Sequence, residues 1–119
     1  MTVSCLQQIL RNKEMRRARL ASALNSIKQQ LIDLGAVRIL LFGSFAKGEV
    51  DVGSDLDLLV IMPSAKTGKE WSQEIYREVQ RNVAADILVF NEQEFQENLP
   101  VNRFLRLVVQ GQILYEKGE

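Results

Sequence analysis

Gly43-Ser44-Phe45-Ala46-Lys47-Gly48-Glu49-Val50-Asp51-Val52-Gly53-Ser54-Asp55-Leu56-Asp57-Leu58-Leu59-Val60-Ile61 joins a Gly-Ser pair, a polar loop and two aspartates, one residue apart, that open an apolar run. Side chains alternate along a strand, so Asp55 and Asp57 share one face while Leu56, Leu58 and Val60 take the other. Two carboxylates on one face repel unless a cation neutralises them. Mg²⁺ suits that task, because it takes oxygen ligands and binds through one or two carboxylates together with substrate phosphates. Taken alone, a D-x-D would read as a solvated strand edge, where acids discourage edge pairing. Glu49 and Asp51 fall in the loop and read as solvated groups or transient partners of the ions.

Upstream of the aspartates, Gly43 and Ser44 stand between an apolar run and a predicted helical turn over Ser44 to Lys47. Free N–H groups at such a turn receive an anion, glycine lets the backbone approach phosphate, and Ser44 adds a hydroxyl. A Gly-Ser turn with Ser44 as N-cap explains the pair equally well when it is considered by itself. The stretch is not a Walker loop: Gly43 and Gly48 have the spacing, but Glu49-Val50 follows where Lys-Ser/Thr is required. Lys47 is placed to contact phosphate or simply to be solvated.

Working outward, Val37 to Phe42 reads as the first strand, Leu56 to Met62 as the second, stopped by Pro63, and Ala84 to Phe90 as the third. Asp86 lies near the start of that third strand. It reads as a third metal ligand, as the base that takes a proton from an incoming hydroxyl, or as a plain helix-to-strand turn residue. Residues 3–34 read mostly as helix: Leu20, Leu24, Ile27, Leu31 and Leu34 form one stripe, Leu6, Ile9 and Leu10 an earlier group, and Gly35 the stop. The basic run Arg11 to Arg19 between the two groups suggests a kink or an exposed turn. Thr67 and Glu70 form a capping box ahead of a helix with Trp71, Ile75 and Val79 on one face, ending near Asn82. Asn91 and Glu94 repeat that logic for a short helix ending before Pro100. A last helix over Asn102 to Gln110 turns Phe104, Leu105, Val108 and Val109 inward, and Ile113 to Tyr115 reads as an extended tail or edge strand. Pro63 to Gly68 is the internal loop expected to be most mobile. The fold class is α/β (α+β): an α-β-α-β-α-β core with a small sheet and flanking helices.

Composition sets the bounds. The 119 residues suit one domain, 1–119, and are 46% hydrophobic and 25% charged with a formal net charge of zero. Nothing global therefore draws the chain to nucleic acid or to an anionic membrane. Charge is uneven nonetheless: residues 1–38 carry Arg11, Lys13, Arg16, Arg17, Arg19, Lys28 and Arg38 against Glu14 and Asp33. There is no histidine, which removes Ser-His-Asp triads and His-rich zinc sites, and Cys5 is alone, which removes an intrachain disulfide. No apolar run approaches the roughly 20 residues of a membrane span and no signal peptide is read at the start, so a cytoplasmic protein is expected.

Gly43-Ser44, ten residues, then Asp55-Leu56-Asp57 resembles the signature of the DNA polymerase beta-like nucleotidyltransferase superfamily. The longer string GSFAKGEVDVGSDLDLLV is similar to its smallest branch, the minimal nucleotidyltransferase (MNT) domains. Ala85-Asp86-Ile87-Leu88-Val89 resembles the family's third-carboxylate strand, and Gly111 to Glu116 its usual C-terminal ending. The resemblance implies the nucleotidyltransferase fold with a mixed sheet, and ATP as substrate held by Gly43 and Ser44. It implies Mg²⁺, as a pair of ions, on Asp55, Asp57 and Asp86. Many relatives carry Arg where Lys47 stands, which weakens the case for a bidentate phosphate contact there. It also implies a HEPN-domain toxin as partner, with AMP passed from ATP to a tyrosine of that partner and the MNT chain acting as antitoxin. The alternatives are a binding module that neutralises by complex formation, and transfer to a small molecule such as an aminoglycoside. A template-directed DNA polymerase is not expected, and a homo-oligomer is left open.

Overall fold

The structure, a computed structural model, describes residues 5–43 and 56–118. Its elements are α1 (Cys5–Leu34), β1 (Arg38–Phe42), β2 (Leu56–Met62), α2 (Gly68–Glu78), β3 (Ala85–Asn91), α3 (Glu92–Asn98), α4 (Arg103–Val108) and β4 (Gln112–Glu116). The helical turn expected over Ser44 to Lys47 lies outside the described residues.

The four strands form one mixed sheet in the order β3-β2-β1-β4. β2 and β3 run parallel, joined through α2, whereas β1 is antiparallel to both β2 and β4. The segment read as a tail or edge strand is thus an edge strand, β4. Helices cover both faces. On one, Leu20, Ile27 and Leu31 of α1 and Trp71 and Ile75 of α2 pack on Ile39, Leu41, Leu56, Leu58, Val60 and Met62. On the other, Phe95, Leu105 and Val108 from α3 and α4 pack on Leu40, Leu59 and Ile61. A strand covered on both sides reads as a near-continuous apolar run. β2 does, as Leu-Asp-Leu-Leu-Val-Ile-Met, and Asp57 is its one residue that is not buried.

α1 is a single helix of 30 residues, with no kink at the basic run. Neither glycine nor proline occurs from residue 5 to 34, and Lys and Arg are good helix formers, so nothing in the run breaks the helix. It ends as the sequence suggested. Gly35 has φ +109°, the Ala36 N–H donates to the Leu31 carbonyl and the Gly35 N–H to the Ile32 carbonyl, a Schellman stop.

Both capping boxes are present, at Thr67/Glu70 and Asn91/Glu94. Glu94 does more than close its own box: its Oε1 accepts from the Asn91 N–H and from the Gly68 N–H, each at 2.9 Å, so one carboxylate ties the start of α3 to the start of α2. α2 ends at Glu78, short of Asn82, because Val79 turns extended and Asn82 takes φ +59°. The Pro63 to Gly68 loop is pinned. Trp71 Nε1 donates to the Pro63 carbonyl, Asn91 Nδ2 to the Lys66 carbonyl and the Gln93 N–H to Ser64 Oγ, and Lys66 pairs with Glu74 over the Trp71 ring. Phe104, expected to face inward, is 51% exposed and meets Phe42 edge-on at 5.9 Å between centroids. Among the described residues no helix is long and apolar enough to cross a membrane.

Candidate active site

One end of the sheet gathers the acids. β2 and β3 both begin there, β1 finishes there, and β4 starts beside Leu41. Asp57 is the second residue of β2 and Asp86 the second of β3, and the parallel register sets them directly opposite each other. Neighbours on one rung point to the same face, with side chains roughly 5 Å apart. Phe42 is the partner of Asp57 on the other side, so Phe42, Asp57 and Asp86 form a row across three strands. The row lies on the face covered by α3 and α4, since Leu59 and Leu40, two residues along their strands, pack there. Asp57 is half-buried and Asp86 exposed, which leaves the outer carboxylate open to an incoming group.

Gly43 fits this row closely. Its φ of +82° is open to glycine and costly for other residues. A Cβ built there would fall on Oδ2 of Asp57, 3.0 Å from its Cγ and 3.3 Å from its Cβ. The chain therefore leaves β1 with bare backbone against the Asp57 carboxylate, a close approach that any side chain would block.

Of the residues read from sequence, Gly43, Asp57 and Asp86 are brought together; Ser44, Lys47 and Asp55 lie outside the described residues, as do Glu49 and Asp51. Among the described residues no group of three His, Cys, Asp or Glu side chains is placed to hold a metal ion. The Asp57–Asp86 pair offers carboxylate oxygen only, the donor set of Mg²⁺, and two like charges on one rung are relieved by a cation. Asp55 directly precedes β2 in sequence.

The sequence reading missed a cavity of about 680 Å³ beside Gly43, lined by Phe42, Gly43, Leu107, Val108, Gln110, Gly111 and Gln112. Gly111 is wedged there: a Cβ would lie 2.5 Å from the Leu41 carbonyl and 3.1 Å from that of Val108. No local pattern signals this space, because it forms only when the α4–β4 turn closes on the end of β1. Gly111, the residue after the helix read over Asn102 to Gln110, permits that closure because it has no side chain.

The family model of the nucleotidyltransferase domain matches residues 20–110, well over half of the chain. Among solved structures, a Sulfolobus solfataricus protein assigned as a nucleotidyltransferase superposes with a TM-score of 0.62. It is 16% identical over 88% of this chain and 87% of its own, a likeness of fold. A comparison with curated proteins finds no match. The match over residues 20–110 makes the chain a member of the nucleotidyltransferase domain family, whose chemistry is the transfer of a nucleotidyl group.

Proposed function

We propose that this chain is a Mg²⁺-dependent adenylyltransferase that moves AMP from ATP to a tyrosine hydroxyl of a HEPN-domain protein and thereby acts as the antitoxin of a toxin–antitoxin pair. The observation that carries the reading is the shared rung of Asp57 and Asp86 with the Gly43 backbone against Asp57. Gly43 and Ser44 would receive the triphosphate through backbone N–H groups and a hydroxyl. Asp55, Asp57 and Asp86 are the residues that would hold magnesium, which when bound neutralises the carboxylates and spreads the charge of the triphosphate. The tyrosine oxygen attacks the α-phosphorus, its proton passes to a carboxylate, and the bond to pyrophosphate breaks. Asp86 suits that proton transfer because it is the exposed member of the pair. A HEPN-domain acceptor follows from the resemblance of the GSFAKGEVDVGSDLDLLV string to the minimal nucleotidyltransferase domains.

The test mixes the chain with labelled ATP, Mg²⁺ and the HEPN protein encoded beside it. Label appears on the partner, vanishes when the metal is chelated, and falls by about 10²-fold or more with Asp57→Asn or Asp86→Asn. An unlabelled partner, or equal labelling by the variants, overturns the reading. The exposed apolar side chains of α1 favour one other outcome, neutralisation by complex formation alone. In that case the aspartate variants protect against the toxin as well as wild type does.

A further inference from the structure

The cavity beside Gly43 lies on the side of the carboxylates away from Asp86. Across the sheet the strands run β4, β1, β2, β3, so Phe42 stands between Asp57 and the cavity, and Asp86 stands beyond Asp57 on the other edge. Phe42 is one strand spacing from Asp57, roughly 5 Å, and Gln112 of β4 is one spacing farther. Cavity and carboxylates share a face. The cavity wall includes Val108 of α4, which packs on the face to which Asp57 points. Its near end is Gly43, whose backbone abuts the Asp57 carboxylate. A nucleotide with its phosphates at Gly43 and Asp57 has two directions in which to lay its ribose and base. The direction of Asp86 is the exposed one, where the incoming hydroxyl arrives. The other leads into the cavity, and one to two strand spacings match the reach of a ribose with its base.

The chemistry of the cavity agrees with that placement. Its volume of about 680 Å³ falls in the range of small-molecule sites, which combine apolar walls with a few polar groups. Phe42, met edge-on by Phe104, and Leu107, an aliphatic side chain left 63% exposed, supply apolar surface against which a base can stack. The polar side chains are two amides, Gln110 and Gln112, on either side of the Gly111 turn. Neither amide has a hydrogen-bond partner among the described residues. No charged side chain lines the cavity among those residues.

We propose that this cavity seats the adenine of the bound nucleotide and that Gln110 and Gln112 select it; this rests on the transfer reading, in which the triphosphate lies at Gly43 and Asp57. A glutamine amide sets a donor beside an acceptor, the complement of the adenine amino group and the ring nitrogen next to it. Guanine fits less well. Its O6 and N7 are both acceptors, usually met by Arg or Lys, and its opposite edge presents donors that call for a carboxylate; the cavity lines up neither. A pyrimidine has one ring in place of two and covers less of Phe42 and Leu107.

The test measures binding of ATP, GTP, CTP and inorganic tripolyphosphate to the full chain by calorimetry, with Mg²⁺ and without a partner protein. The variants are Gln110→Ala/Gln112→Ala and Leu107→Trp, all at exposed positions and each confirmed as folded by thermal melting. Wild type binds ATP about tenfold or more tighter than GTP or CTP. The glutamine variant loses that preference through weaker ATP binding, and Leu107→Trp, which fills the cavity, weakens ATP about tenfold. Both variants bind tripolyphosphate as wild type does, because the phosphates are held outside the cavity. Equal affinity of wild type for the three nucleotides overturns the assignment, as does wild-type ATP affinity in either variant. If Leu107→Trp keeps that affinity but no longer labels the HEPN protein, the cavity serves the acceptor and the assignment falls. A preference for ATP that depends on the glutamines, with no label passed to the HEPN protein, leaves the adenine seat standing and overturns the transfer.

Discussion

A methyl group at position 43 would have to occupy the space of the Asp57 carboxylate and to hold a φ that costs an L-residue about 1–2 kcal/mol. Gly43→Ala is therefore expected to lower stability by about 2 kcal/mol or more in urea unfolding, and to reduce transfer beyond what that loss explains by pushing Asp57 off its rung. The aspartates behave in the opposite sense. Two like charges side by side are a cost that the fold bears for function. Asp86→Asn removes the repulsion without changing shape, so its melting temperature is expected to match or exceed that of wild type while labelling of the partner falls. A melting temperature clearly below wild type would show that the charge on Asp86 supports the fold.

Where α2 and α3 begin, Glu94 satisfies two backbone N–H groups from different elements. Glu94→Ala leaves both without their partner and opens the Asn91 capping box, at a cost of about 2 kcal/mol. Glu94→Gln keeps an oxygen acceptor and is expected to lose less, an ordering that urea midpoints check. Capping boxes were legible in the sequence because both partners lie three residues apart, and β2 was legible to its exact bounds because Pro63 stops a run that Leu56 opens. Features made by partners distant in sequence were not. The Pro63 to Gly68 loop has polar, turn-forming residues yet is tied down by Trp71, Asn91 and Gln93, none of them in the loop. Phe104 fell on the inward stripe of its helix and instead meets Phe42 in a half-open contact at the sheet end. At the site, alternation and the short motif singled out Asp55 and Asp57, and Asp86 was read from its place near the start of the third strand, but only the parallel register of β2 and β3 sets Asp57 and Asp86 on one rung.

At the scale of the whole molecule, the division of α1 predicts two different responses to change. Ile27→Ala removes a fully buried side chain at the centre of the larger core and is expected to cost about 2–5 kcal/mol. Deleting residues through Lys13 removes no described side chain that is buried, so the melting temperature is expected to stay within about 3 °C of wild type. The sheet itself depends on distant pairings: Arg38 is in register with Glu116, 78 positions away, and Asp57 with Asp86, 29 positions away. Such pairings form late, after the cost of closing long loops has been met. The carboxylate pair therefore does not exist in any partly folded chain in which β3 has yet to dock. The single tryptophan, Trp71, lies within the α2 crossover that makes this docking possible, buried and bonded to Pro63. Its fluorescence is thus a built-in reporter of the step that brings the two aspartates together, and during refolding the recovery of activity cannot run ahead of it.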